Sequence, residues 1–216
     1  MIIGVTGNNG SGKDTFADYL VSNKGFVHIS LSDFIREETV RRGMEMTRFN
    51  FHDVGNDMRE SSGPCVLASL ALDKMDKNKD YVITSIRNPN EIRELEKAGN
   101  FALAAVDAPV ETRFNRIIER NRKNEKEIIS FEAFKKFEAE ELESQLSSSQ
   151  QIKECIEMAK FNIDNGCDME EFSERIGAVY DKIADYLRKK NDKNRSYRRC
   201  WGWKDYVDRI FGRPGI

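Results

Sequence analysis

The architecture follows from one glycine-rich stretch, Gly7-Asn8-Asn9-Gly10-Ser11-Gly12-Lys13-Asp14-Thr15. An apolar, β-branched run at 1–6 precedes it, and an amphipathic segment at 16–21 follows it. This order predicts a strand, a tight loop and a helix. Glycines let successive backbone N–H groups point inward, and the helix adds the positive end of its dipole. The stretch therefore predicts a cradle for an anion; the alternative is a glycine turn that binds nothing.

The stretch matches the pattern G-x-x-x-x-G-K-[ST] with one displacement, because Asp14 stands at the Ser/Thr position and Thr15 follows it. In that pattern Lys13 reaches the β and γ phosphates of a nucleoside triphosphate, and the hydroxyl that follows ligates Mg²⁺. The displaced form resembles the G-x-x-G-x-G-K-x-T loop of nucleoside monophosphate kinases. Residues 12–20 look especially like those of deoxynucleoside monophosphate kinases. The resemblance implies ATP and Mg²⁺ as cofactors.

The composition of the chain argues against nucleic-acid binding, structural zinc and membrane insertion. The chain has 216 residues, the size of one α/β domain with one mobile insertion, and its net charge of -2 gives no argument for nucleic acid as a partner. Its four cysteines form no C-x-x-C pair, and two histidines are too few to favour structural zinc. No basic leader or long apolar run is found, so we expect a cytoplasmic protein with reduced thiols and no membrane contact.

Three further positions carry candidate acceptor residues. A second apolar strand at 26–30 leads into a helix with Ser32 as its expected N-cap, and this segment is similar to the second strand of adenylate kinases. The similarity implies that Asp33 orders the Mg²⁺ shell and that Arg36 pairs with the acceptor phosphate. Arg59 is a second candidate for that phosphate. For these residues the alternative is a solvated helix surface.

The next strand is expected at 80–87 and ends at Arg87. Open parallel sheets bind ligands beyond the carboxyl ends of their strands, so Arg87 is expected to face the cleft and, with Arg36 and Arg59, to hold the acceptor during catalysis. Related kinases carry an acid just before this arginine, whereas Thr84 and Ser85 stand here. Metal positioning is then left to Thr15 and Asp33.

A fourth strand at 101–107 precedes a helix with Arg113, Arg116 and Arg120 on one face and Arg122 close by. Glu111 and Glu119 could neutralise this stripe in a purely structural protein. The segment 106–142 resembles archaeal dephospho-CoA kinase-like proteins, a group related to adenylate kinase. The resemblance covers residues 2–187 and implies a lid at about 110–148. Its arginines, of which we assign Arg116, Arg120 and Arg122 to catalysis, would stabilise charge as the phosphoryl group moves.

The lid is expected to contain a helix capped by Ser130, with phenylalanines that pack rather than stack on bases, and a polar hinge at 146–151. A fifth strand and its turn follow at 160–166. There Asn165 is a candidate adenine contact or simply a turn residue. The last core helix is expected at about 169–189. Basic and aromatic residues alternate beyond it, so the tail at 191–216 either shields apolar surface or binds a protein partner or single-stranded nucleic acid.

Together these features predict a three-layer α/β/α kinase domain at 1–190 with a five-stranded parallel sheet and a helical lid. Resemblance to P-loop kinases suggests the strand order 2-3-1-4-5. The expected activity is phosphoryl transfer from Mg-ATP to a phosphate-bearing acceptor, a nucleoside or deoxynucleoside monophosphate. The open alternatives are transfer to the hydroxyl of dephospho-CoA, with Asp33 as the base, and a non-catalytic ATP sensor.

Overall fold

The structure is a computed structural model that describes residues 1–119, 130–143 and 151–200. Five parallel strands form one sheet in the order β2-β3-β1-β4-β5, which confirms the predicted fold. In chain order the strands are β1 (Ile2–Thr6), β2 (Val27–Ser30), β3 (Tyr81–Thr84), β4 (Phe101–Asp107) and β5 (Phe161–Asp164).

The described helices cover both faces of the sheet. They are α1 (Lys13–Lys24), α2 (Leu31–Arg41), α3 (Arg48–Ser62), α4 (Val66–Lys74), α5 (Pro89–Lys97), α6 (Val110–Glu119), α7 (Phe131–Glu143), α8 (Ile152–Met158) and α9 (Met169–Cys200). Among the described residues, no helix is long and apolar enough to cross a membrane.

Two apolar cores lie on opposite faces of the sheet. Successive strand residues point to opposite faces, so Val82 packs with α1 and α9, whereas Ile83 packs with α2, α4 and α5. The first core includes Phe16 and Phe172, and both side chains are fully buried. This arrangement leaves the carboxyl ends of all five strands on one edge of the sheet, where α/β proteins of this kind bind ligands.

Several expected boundaries differ from the structure. Helix α2 begins at Leu31, so Ser30 and not Ser32 is its N-cap residue, and no side chain caps it. Helix α8 was not anticipated. Helix α9 continues past the expected end near 189, because no glycine or proline interrupts the charged sequence before Gly202. Residues 191–200 of the expected tail are therefore helical, whereas 201–216 lie outside the described residues.

The lid prediction is tested only in the described parts of 110–148. Ser130 caps α7 as expected, since its hydroxyl accepts a hydrogen bond from the Ala133 N–H at 3.1 Å. Phe131 and Phe134 pack on Phe114, with ring centroids 5.2 and 5.6 Å away, and Phe134 is fully buried. These phenylalanines pack within the protein. Residues 120–129 and, of the expected hinge at 146–151, residues 146–150 lie outside the described residues.

Candidate functional site

Residues 7–15, which we call the phosphate loop, connect β1 to α1 in a conformation that glycine alone tolerates. Gly7 has φ 137°, and a Cβ there would lie 2.1 Å from the Val106 carbonyl oxygen. Gly12 has φ 103° and is the N-cap residue of α1, where no side chain caps the helix. The loop therefore leads into the N-terminus of α1, where the positive end of the helix dipole favours an anion.

The side chains of the loop suit the same ligand. The Lys13 ammonium donates to the Asn8 carbonyl at 2.6 Å, so its charge lies over the loop. Thr15 is half-buried in the first turn of α1, beside Asp14. The Ser11 hydroxyl is buried and has no hydrogen-bond partner among the described residues. A buried polar atom without a partner is costly, so its presence here indicates a ligand-binding surface.

Asn165 joins the phosphate loop to the arginine helix α6. Its amide nitrogen donates to the Ser11 carbonyl at 2.7 Å, and its backbone and side-chain oxygens accept from the Arg116 Nη2 at 3.0 and 3.3 Å. The Asn165 side chain was a candidate for adenine, but the structure places it inside this network. The Arg116 Nη1 is buried and has no partner among the described residues. The phosphate loop, Asn165 and the Arg116 guanidinium thus form one hydrogen-bonded network. Within the described part of the chain, the Ser11 hydroxyl and the Arg116 Nη1 in this network have no partner.

Arg113 was expected on the same helix face as Arg116, but it lies in a different environment. Its Nε donates to the Ala108 carbonyl at 2.9 Å, and its Nη1 contacts the Asn9 carbonyl and forms an ion pair with Glu138 of α7. Both charged side chains are almost completely buried. Arg113 therefore ties the phosphate loop to α7. Arg120 and Arg122, predicted to be catalytic, lie outside the described residues.

The predicted acceptor residues Asp33 and Arg36 lie together on the first turns of α2. The Arg36 Nη1 donates to the Asp33 carboxylate at 2.8 Å and to the Ser32 hydroxyl at 2.9 Å. Both charged side chains are accessible, with 60% of the Asp33 side chain and 41% of the Arg36 side chain exposed. Because both side chains are exposed and lie beyond the carboxyl end of β2, the Asp33 carboxylate and the Arg36 guanidinium can contact a ligand there.

Arg59 is not accessible in the same way. The residue is 2% exposed, and its Nε and Nη2 donate to one Glu91 carboxylate oxygen at 3.0 and 2.8 Å. The other Glu91 oxygen accepts from the backbone N–H groups of Arg87 and Asn88 at 2.9 and 3.1 Å. The structure thus places Arg59 beneath the β3–α5 turn, where it holds Glu91 and, through Glu91, the backbone of Arg87. Sequence reasoning missed Glu91 because its partner is distant along the chain.

Thr84 and Ser85 stand at the position of the expected acid. Their side chains have different hydrogen-bond partners at the end of β3. Thr84 is fully buried, and its hydroxyl pairs with the His28 Nε2 at 2.8 Å. Ser85 turns the other way, and its hydroxyl lies 3.1 Å from that of Ser30 and donates to that of Ser32 at 3.4 Å. Ser30, Ser32 and Ser85 were not predicted as site residues. The strand order 2-3-1 was the signal that could have brought them together.

Known proteins resemble the chain along most of its length. A family profile described as an AAA domain matches residues 6–135. A UPF0200 protein of Thermococcus onnurineus is 32% identical over 85% of this chain and 98% of its own length. A UPF0200/UPF0201 protein of Archaeoglobus fulgidus is 31% identical over 85% of this chain, which spans 56% of that longer relative.

Solved structures share the fold at low sequence identity. A gluconokinase from Sinorhizobium meliloti superposes with a TM-score of 0.54 and 15% identity, covering 87% of this chain and 95% of that one. The shikimate kinase of Aquifex aeolicus superposes with a TM-score of 0.50 and 15% identity, covering 85% and 98%. These neighbours confirm the P-loop kinase fold that the phosphate loop predicted. By its sequence, the chain belongs to the AAA domain family and to the UPF0200 proteins.

Proposed function

We propose that the protein is an ATP-dependent small-molecule kinase that transfers the γ-phosphate of Mg-ATP to a nucleoside or deoxynucleoside monophosphate. One observation carries the proposal: Asn165 connects the phosphate loop to Arg116, and Ser11 and Arg116 each retain a buried polar atom without a partner among the described residues. Hydroxyl and guanidinium groups both donate hydrogen bonds to phosphate oxygens, which supports a polyphosphate as the ligand of the loop. The fold supports nucleotide binding and phosphoryl transfer at this position.

The donor side of the proposed site consists of the phosphate loop and Arg116. The loop N–H groups and Lys13 hold the β and γ phosphates, and Arg116 neutralises charge that develops on the transferred group. Asn165 is a positioning residue, because it bonds to both the loop and Arg116. Arg120 and Arg122 remain predictions for the same role.

A magnesium ion would be held by Thr15 and Asp33. The chemistry of this donor set fits, since Mg²⁺ prefers oxygen ligands and is usually bound through few protein groups, with substrate phosphates and water completing its shell. Asp33 has an accessible carboxylate, and Thr15 lies two residues after Lys13 on α1. When bound, Mg-ATP supplies the activated phosphoryl group.

The acceptor side consists of Arg36, on the helix that follows β2, and Arg87, which lies just beyond the end of β3. Arg59 is not included, because its guanidinium is buried against Glu91. Phosphoryl transfer needs little covalent chemistry from the protein, so positioning and charge neutralisation account for most of the expected rate enhancement. The structural neighbours are named for shikimate and gluconate, which are hydroxy acids; at 15% identity their acceptors are not transferred to this chain.

The test is acceptor-dependent release of ADP from Mg-ATP. The acceptors are all ribo- and deoxynucleoside monophosphates, dephospho-CoA, shikimate and gluconate. Lys13→Ala should abolish release, whereas Lys24→Ala, at the far end of the same helix, should leave it unchanged. ATP binding without release for any acceptor would contradict the kinase and favour the nucleotide sensor.

A further inference from the structure

A buried ion pair joins α6 to α7 beside the phosphate loop, and the proposed chemistry uses neither of its members. Arg113 of α6 is 6% exposed, and its guanidinium is paired with the carboxylate of Glu138 of α7, which is 8% exposed. Replacing a buried ion pair by apolar side chains of similar size is often neutral for stability or even stabilising. Stability alone is therefore a weak reason for burying two charges at this position.

Helix α7 presents Glu138 to Arg113 because its apolar face packs on α6. Phe134 lies one helical turn before Glu138, so the two side chains share a face of α7. The Phe134 ring is fully buried, with its centroid 5.6 Å from that of Phe114 and 5.8 Å from the Arg113 guanidinium carbon. The position of the Glu138 carboxylate thus follows from how α7 packs on α6.

Arg113 contacts the phosphate loop with both its side chain and its backbone. Its Nε donates to the Ala108 carbonyl at 2.9 Å, which directs the guanidinium, and its Nη1 donates to the Asn9 carbonyl at 3.4 Å. Gly10 packs on the Arg113 main chain, since a Cβ on Gly10 would lie 2.6 Å from the Arg113 carbonyl oxygen. Two consecutive loop residues therefore contact this arginine.

The contact with the Asn9 carbonyl determines which way one peptide of the loop faces. In a trans peptide the carbonyl and the N–H that follows it point in opposite directions. Because the Asn9 carbonyl is turned towards Arg113, the Gly10 N–H is turned away from it. A glycine-rich loop binds an anion through its N–H groups, so a donor that holds a loop carbonyl also controls how the loop presents those groups.

We propose that Arg113 and Glu138 are positioning residues for the phosphate loop. Arg113 fixes the peptide between Asn9 and Gly10, and Glu138 holds the Arg113 guanidinium in place. The pair carries no net charge, so it contributes the shape of the loop and not attraction for an anion. The inference rests on the proposed binding of a nucleoside triphosphate at the loop, and it makes that binding depend on the packing of α7.

The test replaces both members of the pair in one variant, Arg113→Met with Glu138→Met. Removing one positive and one negative charge leaves the net charge unchanged, and methionine is an unbranched apolar side chain that adapts to the space. The control is Glu132→Met with Lys135→Met, because this ion pair lies on the exposed side of the same helix with its charged atoms 3.0 Å apart. Mg-ATP and inorganic triphosphate are the probes, each titrated calorimetrically into the folded protein. Triphosphate has neither base nor sugar, so it reports on the phosphate loop.

We expect the Kd of both probes to rise by about tenfold in the variant without the Arg113–Glu138 pair, because the loop loses a hydrogen bond from a charged donor. The midpoint of urea unfolding should equal that of the unmodified protein or exceed it, since the two charges are removed together. The control variant should keep both Kd values within about twofold. Unchanged Kd values in the variant without the Arg113–Glu138 pair, whatever its urea midpoint, would show a purely structural pair and overturn the inference.

Binding and turnover together separate this inference from the proposed function. Kd values that rise as expected, in a protein that turns over no acceptor, would retain the positioning role and refute the kinase. Acceptor-dependent turnover with unchanged Kd values in the variant would refute the positioning role and leave the kinase standing. No binding of either probe by the unmodified protein would overturn both.

Discussion

Arg59→Met removes the cation from a fully buried ion pair, and its consequence follows from the surroundings of Glu91. The Glu91 carboxylate is completely buried and would keep its two backbone donors, from Arg87 and Asn88, but lose both guanidinium bonds. Breaking a buried pair by removing one partner costs about 3–5 kcal/mol, because a buried charge is left uncompensated. For a chain of this size that corresponds to a fall in melting temperature of about 6–20 °C.

The assay is urea unfolding at pH 7 followed by circular dichroism. Arg93→Met is the matched control, since Arg93 pairs with Glu154 on the surface and its side chain is 53% exposed. We expect the control to stay within about 0.5 kcal/mol. If Arg59→Met lowers the free energy of unfolding by less than about 1 kcal/mol and raises the KM for the acceptor, the buried ion pair is refuted. Arg59 would then be assigned to acceptor binding, as the sequence predicted.

Three further predictions follow from single residues. Ser85→Gly should be more stable than Ser85→Ala by about 0.5–1 kcal/mol in urea, because glycine tolerates φ 62°; a more stable Ser85→Ala would show that the backbone is unstrained. Asn165→Ala should raise the Kd of Mg-ATP by roughly tenfold in calorimetry, because the Ser11 carbonyl loses its donor and Arg116 keeps only its bond to the backbone carbonyl of residue 165; an unchanged Kd would remove Asn165 from the donor site. Burial, reinforced by the nearby Glu91 charge, raises the pKa of the Cys155 thiol far above its usual range, so at pH 8 it stays protonated. Iodoacetamide should modify it only after unfolding, and native labelling as fast as that of Cys65, measured by mass spectrometry, would contradict its burial.

The local parts of the fold were predictable from the sequence. A β-branched run, three glycines and Lys13 form one continuous signal, and the structure has the strand, loop and helix that this signal indicates. The strand 101–107 was also predicted at its observed bounds, because its apolar run ends at Asp107 before a proline. These features depend on neighbours in the sequence and not on the sheet as a whole.

The parts that depend on distant residues were not predictable. Arg59 looks like a solvated helical arginine until α3 and α5 bring it onto Glu91, and composition carries no sign of that pairing. The adenine contact predicted for Asn165 stays a prediction, and its observed contact with Ser11 depends on how α6 and the β5–α9 turn pack against the loop. In each case the missing information is tertiary packing.

Transfer of a phosphoryl group to a small acceptor is measured most directly by following the γ phosphorus of ATP into the product. The protein is incubated with ATP labelled at the γ phosphorus and with the acceptor that gives the highest ADP release, and labelled products are separated and quantified. We expect labelled acceptor to form in the same amount as ADP, and we expect no labelled acceptor with Lys13→Ala. ADP and labelled inorganic phosphate without labelled acceptor would contradict it and identify the protein as an ATP hydrolase.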